Sequence, residues 1–257
     1  MNHPNRLRTL LVAASALALA LLPTRSLAVG NPITWGTPQL ISADIDVSTS
    51  GSLLYAYTFG AVAVPSATVN GVTFSSFAIT NGSSVNVGNV TLADPVNGTM
   101  DPSNTAFGAG SGTFAGLSSS YQALLQSGVS NTTFHGTMTL NLAGLTNGQS
   151  YQVEIWANES GSTFDNTPSH DANTIFTSVQ AATLDLTNTN APGGVGQWVT
   201  GTFSAVGSSQ NISISANNYP DLNAVQVRAV PEPGSALLLA LGAGALLGRR
   251  RRAAVGG

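Results

Sequence analysis

The stretch that decides the fold is residues 133–142, TFHGTMTLNL, in which apolar and polar side chains alternate. The apolar side chains on its even positions are Phe134, Met138, Leu140 and Leu142, and the odd positions carry Thr, Asn and His135. Successive side chains of a β-strand point to opposite faces, so the pattern predicts a strand with one buried side. Burial on one face only is typical of antiparallel sheets.

The same alternation recurs along most of the chain. Residues 53–59 carry their large side chains on odd positions. Further inward-facing sets are Tyr151, Val153 and Ile155; Val199, Phe203 and Ala205; Ile212, Ile214 and Ala216; and Val225, Val227 and Ala229. Asn-Gly pairs such as Asn70-Gly71 supply tight turns between strands, because both residues tolerate positive φ. About ten strands are expected, which predicts an all-β, antiparallel two-sheet β-sandwich.

One short helix interrupts the strands. Ser118 or Ser119 can cap its N-terminus, and Gly128 can end it. Tyr121, Leu124 and Leu125 form an apolar stripe at helical spacing. We expect this helix to cover an open end of the sandwich.

Three segments give the domain a more specific look: residues 142–156, 194–203 and 222–228. In the first, a strand ends, a Gly turn follows and Tyr151 opens the next strand. Together they resemble galactose-binding-like and carbohydrate-binding jelly rolls. The resemblance implies a jelly-roll-like sandwich, but fold similarity does not by itself establish sugar binding.

The charge distribution restricts the partners of residues 29–229. This part holds Arg228 as its one basic residue against ten acids, a net charge of −9. Nucleic-acid binding is therefore disfavoured, because no basic surface exists to neutralise phosphates. The chain also has no cysteine, which excludes disulfides and thiolate metal sites.

The N-terminus has the pattern of an export signal. Residues 1–28 combine two early arginines, an apolar stretch too short to span a bilayer, and small residues at Ser26 and Ala28. We expect signal peptidase to cleave after Ala28. The alternative is an uncleaved anchor.

The C-terminus carries three elements in order: Pro231, Glu232 and Pro233; an apolar stretch at residues 235–248; and the basic cluster Arg249, Arg250, Arg251 and Arg252. As a helix the apolar stretch is shorter than a hydrocarbon core of about 30 Å. Its basic end should stay cytoplasmic, leaving the domain outside. These elements resemble the PEP-CTERM sorting signal.

That resemblance implies an exosortase-type processing enzyme as partner. The protein would be anchored in the inner membrane by its C-terminal helix until processing, and then delivered to the cell surface or extracellular matrix. The alternative is a simple C-terminal anchor. The predicted organisation is a signal peptide at 1–28, a β-sandwich at 29–229 and a sorting tail at 230–257.

Strand parity marks two tryptophans as candidate ligand contacts. If Tyr151 and Val153 face the core, Trp156 faces outward with Gln152 and Glu154; by the same argument Trp198 faces outward. An outward aromatic ring can stack on a sugar, and amide or carboxylate neighbours can bind its hydroxyls. The alternative is that loops or the short helix cover both rings.

Oxygen ligands for calcium concentrate in the loop at residues 159–171, which holds Glu159, Asp165, His170 and Asp171. Asp165 and Asp171 are the candidate ligands of a structural calcium ion. Asp44 and Asp46, two positions apart, offer a second candidate on one strand face. The spacing matches no fixed motif, and a solvated polar loop is the alternative.

No hydrolase, metalloprotease or phosphate-binding motif occurs, and no catalytic residue is assigned. The sequence favours a non-catalytic module that binds extracellular polysaccharide. Two alternatives stay open: a structural matrix protein without a small ligand, and a polysaccharide hydrolase or lyase using a carboxylate pair.

Overall fold

The computed structural model describes residues 32–61, 64–80, 84–94, 100–105, 108, 114–159, 173–178, 180–186 and 194–231. These residues form an all-β sandwich of two main sheets with one α-helix. The predicted fold class is confirmed. The predicted terminal helices lie outside the described residues.

The larger sheet has eight strands in the order β1-β14-β11-β17-β3-β5-β4, with β2 also paired to β14. Its strands are β1 (Thr34–Trp35), β2 (Gln39–Leu40), β3 (Ser52–Gly60), β4 (Ala67–Val69), β5 (Val72–Ala78), β11 (Ser150–Ala157), β14 (Gln197–Ser204) and β17 (Ala224–Ala229). All pairings are antiparallel except that of β3 with β5, which is parallel. The β3–β5 pair is thus a local departure from the antiparallel arrangement of the rest of the sheet.

The second sheet has six strands in the order β13-β12-β15-β10-β7-β6. They are β6 (Ser84–Val87), β7 (Val90–Ala93), β10 (Thr137–Ala143), β12 (Asn173–Ser178), β13 (Gln180–Asp185) and β15 (Ser209–Ala216). A third, three-stranded sheet joins β8 (Met100–Ser103), β9 (Gly128–Asn131) and β16 (Asp221–Leu222).

The main core lies between the two large sheets. Met138, Leu140 and Leu142 of β10 are fully buried, as are Val153 and Ile155 of β11. In most strands of the six-stranded sheet, the residues between the buried apolar side chains are polar and face away from the core. The alternation therefore identifies the inward side chains correctly from residue 137 onward.

The strand predicted at residues 133–142 begins later than expected. Residues 133–136 form a turn, with His135 at a φ of 57°. Phe134 is 54% exposed, so its expected place in the core is wrong. The cause is the turn, because a residue in the left-handed region breaks the alternation of faces.

The helix α1 (Ser119–Gln126) matches the predicted position. Ser118 caps it by accepting a hydrogen bond from the Tyr121 amide at 3.2 Å. The helix was expected to cover an open end of the sandwich, and this expectation is wrong. Tyr121, Leu124 and Leu125 instead pack on the outer face of the eight-stranded sheet. There they form a second core with side chains of three central strands, Ala56, Trp156 and Ala224.

Candidate functional site

Trp156 points away from the main core, as its parity predicts, but it is fully buried. Its indole N–H donates to the Tyr121 hydroxyl at 2.9 Å. Phe74 packs edge-on against its ring, with centroids 5.5 Å apart. The helix thus covers Trp156, and the expectation that this ring is free to stack on a sugar is wrong.

Trp198 lies directly opposite Trp156 across the β11–β14 pair. It is half-buried and packs against the same second core. Its indole nitrogen is buried without a hydrogen-bond acceptor among the described residues. Gln152 is half-buried and pairs with Thr202 and Arg228. The structure brings the predicted residues onto one sheet face, but they form no exposed platform.

Glu154 belongs to a buried polar network on that face. One carboxylate oxygen accepts hydrogen bonds from the Ser48 amide at 3.1 Å and from the Gln226 side chain. The other is buried with no partner among the described residues. Burial is the main factor that raises the pKa of Glu154 to about 7, and the Asp46 carboxylate adds to the rise. Glu154 is therefore not placed to bind a ligand from solvent.

Arg228 anchors the loop that covers this network. Its guanidinium donates to the backbone carbonyls of Thr49 at 3.0 Å, Ser50 at 2.7 Å and Gly51 at 2.9 Å. Burial lowers the pKa of Arg228, and Glu154 opposes that change. The polar residues of this face thus hold the loop before β3 onto the sheet.

Asp44 and Asp46 do not share a strand face, because residues Asp44–Asp46 form a 3-10 turn. The Asp46 carboxylate accepts hydrogen bonds from the Ser42 amide at 2.6 Å, the Ser42 hydroxyl at 2.9 Å and the Ala43 amide at 3.0 Å. Both of its oxygens are used by protein donors. The expected strand pair of calcium ligands is wrong.

Asp221 of β16 and Glu159 form a second pair of neighbouring carboxyl groups. Asp221 is buried, and neither of its oxygens has a donor at hydrogen-bond geometry among the described residues. Burial, and then the neighbouring Glu159 carboxyl group, raise the pKa of Asp221 well above its ordinary range. Sequence reasoning missed Asp221, because its short strand shows no alternation that would mark an inward carboxylate.

The exposed aromatic residues of the described region gather elsewhere, in the turn before β10. The rings of Phe134 and His135 lie 4.0 Å apart, and Tyr219 approaches Phe134 edge-on at 6.1 Å. The His135 amide donates to the Asn218 carbonyl at 2.9 Å, which joins the two loops. We call Phe134, His135 and Tyr219 the aromatic cluster. A signal was present in the sequence, since the Gly136 that follows His135 favours a turn.

The remaining predicted site residues lie outside the described residues: Ser26, Ala28, Asp165, Asp171, Glu232, Pro233, Arg249, Arg250, Arg251 and Arg252. Within the described ranges no three His, Asp or Glu side chains are grouped to hold a metal ion. In the same part of the chain, no helix is both long and apolar enough to cross a bilayer. No protein-family profile matches the chain, and no curated protein sequence matches it significantly.

Proposed function

We propose that this chain is an exported surface or extracellular-matrix protein whose β-sandwich is a non-catalytic module for extracellular polysaccharide. The two ends of the chain support the export part, through the signal-peptide pattern of residues 1–28 and the PEP-CTERM resemblance from Pro231 onward. The binding part rests on the aromatic cluster.

The observation that carries the binding proposal is the exposure of Phe134. Phe134 is 54% exposed. The other large apolar side chains that are exposed in the described region are aliphatic. His135, also exposed, and half-buried Tyr219 extend the apolar surface beside Phe134. Flat rings at the surface can stack on the apolar faces of sugar rings, and the His135 imidazole and the Tyr219 hydroxyl can bond to sugar hydroxyl groups.

A double substitution, Phe134→Ala with Tyr219→Ala, tests the proposal. For any polysaccharide that the wild-type domain binds, we expect the affinity to fall at least tenfold in this variant. A tenfold loss corresponds to about 1.4 kcal/mol of binding free energy. The measurement is affinity electrophoresis of the purified domain in gels containing dextran, hydroxyethylcellulose or alginate. Leu40→Ala with Val206→Ala, which removes two exposed apolar side chains outside the cluster, is the matched control. Wild-type protein that binds none of the polysaccharides would rule out the module.

A second candidate, a structural matrix protein without a small ligand, is favoured by the polar and nearly uncharged strands of the six-stranded sheet. It predicts no saturable binding to any defined glycan. The third, a hydrolase or lyase, needs an accessible carboxylate pair. In the described pair, Asp221 is only 1% exposed. Release of reducing sugar that disappears in Glu159→Gln would favour this third candidate.

A further inference from the structure

The outward face of the six-stranded sheet carries mostly small polar side chains, together with the larger apolar side chain of Ile175. Its central row crosses four strands through directly paired residues, which are Ala93, Thr139, Ser213 and Thr177. All four are half-buried, as expected for side chains packed side by side on an outward sheet face. We call this surface the hydroxyl face.

The next row is held in place by hydrogen bonds between its own side chains. The Asn86 side chain donates to the Thr91 hydroxyl at 2.6 Å, and the Asn141 side-chain amide donates to the side-chain oxygen Oδ1 of Asn211 at 2.6 Å. Thr91 and Asn141 are directly paired, so the row is continuous across four strands. Its amide groups are therefore preorganised before any ligand binds.

The hydroxyl face is almost without charge. In the six strands of this sheet the one charged residue is Asp185, at the end of the edge strand β13. The outward face of the other large sheet differs, since it carries Glu154 and Arg228 beneath a loop. An anionic polymer would find no cation on the hydroxyl face to pair with its charges. A neutral polymer needs no such charge pairing, so the lack of cations does not weaken its binding.

The spacing of the face suits an extended chain of sugars. Neighbouring strands lie about 4.8 Å apart, and outward side chains on one strand repeat about every 6.8 Å. Hydroxyl and amide groups both donate and accept hydrogen bonds, as sugar hydroxyls do. The face also adjoins the aromatic cluster, because β10 starts at Thr137 directly after the turn that holds Phe134, and β15 ends at Ala216, shortly before Tyr219.

We propose that the hydroxyl face continues the binding surface of the aromatic cluster and that its ligand is an extended, uncharged polysaccharide. This inference rests on the proposed function and adds the class of ligand. The chain of sugars lies across the paired rows, with one end stacked on Phe134.

The experiment removes two hydroxyl groups at the centre of the face. Thr139 and Ser213 are directly paired, so Thr139→Val with Ser213→Ala deletes two neighbouring hydrogen-bonding groups without adding bulk. The expected result is about tenfold weaker binding to hydroxyethylcellulose or dextran, since each lost hydrogen bond weakens binding about threefold or more. Alginate should bind far more weakly than either neutral polymer.

The matched control is a directly paired set of hydroxyl residues on the other large sheet, Thr68 and Thr73, which are exposed. The hydroxyls of Thr68 and Thr73 lie 3.0 Å apart across β4 and β5. Thr68→Val with Thr73→Val should leave binding unchanged. A further variant, Thr139→Arg, places a long cation on the face and should reduce neutral binding still more while circular dichroism shows an intact fold.

Different results separate this inference from the proposed function. If the aromatic double variant loses binding but the hydroxyl-face variants bind neutral polymer like wild type, the inference is wrong and the module stands. If the domain binds alginate as tightly as it binds the neutral polymers, the inference is likewise wrong and the module stands. Self-association that Thr139→Arg abolishes would assign the face to a second copy of this chain and also overturn the inference. If wild type binds no polymer, both proposals fail.

Discussion

The hydroxyl group of Tyr121 joins the helix to two other parts of the molecule. It accepts the indole N–H of Trp156 at 2.9 Å and donates to the Asp46 carboxylate at 3.4 Å. Tyr121 is fully buried, and burial is the main factor that raises its pKa well above the ordinary value. A neutral hydroxyl is therefore kept where it serves as acceptor and donor at once.

Removing this hydroxyl should leave the Trp156 indole unsatisfied. We expect Tyr121→Phe to lower the free energy of unfolding by about 1–3 kcal/mol, because a buried donor without an acceptor costs its desolvation. Urea unfolding followed by circular dichroism measures the change. Tyr57→Phe, at a half-buried tyrosine of β3, is the control and should change stability by less than about 0.5 kcal/mol. Equal losses of stability in the two variants would contradict the stabilising role of the Tyr121 hydroxyl.

Glu154 should make stability depend on pH. Its pKa is about 7 in the folded chain against 4.5 for a free side chain, so the folded state binds the proton more tightly. The contribution of this proton to stability is fully present below pH 4.5 and is lost as pH rises through about 7. The raised pKa of Asp221 acts in the same direction.

We predict that the domain is less stable at pH 8 than at pH 5, with Glu154 accounting for roughly 3 kcal/mol at most. Glu154→Gln should flatten this dependence, because glutamine does not titrate. Urea midpoints at the two pH values measure it, and Asp101→Asn, at an exposed acid, is the control. A profile that is equally steep in Glu154→Gln would contradict the assignment.

At the scale of elements, helix α1 forms a third layer on the sandwich. Its stripe of Tyr121, Leu124 and Leu125 is buried, as the helical spacing predicts. The stripe shows that one side of the helix is buried, but it does not show which surface covers that side. Only the tertiary structure places it over Trp156 and Ala224.

Truncating Leu124 to alanine should weaken this layer. Leu124 is fully buried, and such a truncation costs about 2–5 kcal/mol. Water reaching the second core should also shift the fluorescence of Trp156 to longer wavelength. The control is Ser119→Ala, an exposed position in the same helix. Unchanged stability in Leu124→Ala would show that the helix does not cover the sheet in solution.

At the scale of the whole molecule, the folded domain extends to Val230, directly before Pro231, Glu232 and Pro233. The Val230 amide donates to the Ser150 carbonyl at 2.9 Å, and Gln149 donates to the Val230 carbonyl at 2.8 Å. Val230 is thus hydrogen-bonded to the sandwich, directly before Pro231. Cleavage on the N-terminal side of Val230 would remove these hydrogen bonds.

We predict that the mature protein retains Val230. The intact mass of protein recovered from the native cell surface and medium should fit a chain that starts at Val29 and ends near residues 231–233. The measurement needs no engineered variant. A mass that still includes Arg249 to Arg252 would contradict the proposed exosortase processing and favour a permanent C-terminal anchor.

The sequence by itself determined the class of fold, the position of the helix and the inward parity of most strands, because alternation and capping are local properties. It did not determine what lies over each outward face. Trp156 was expected to be exposed but is buried, because a helix distant in sequence covers it. Phe134 was expected to be buried but is exposed, because a turn places it outside the core.

Only the tertiary structure decided the composition of the candidate sites. Tyr219 joins Phe134, and Asp221 joins Glu159, through contacts between segments far apart in the chain. The hydroxyl face likewise depends on register, which sets Thr139 opposite Ser213. Local patterns show which side of a strand is polar, but strand order and register decide which polar side chains become neighbours.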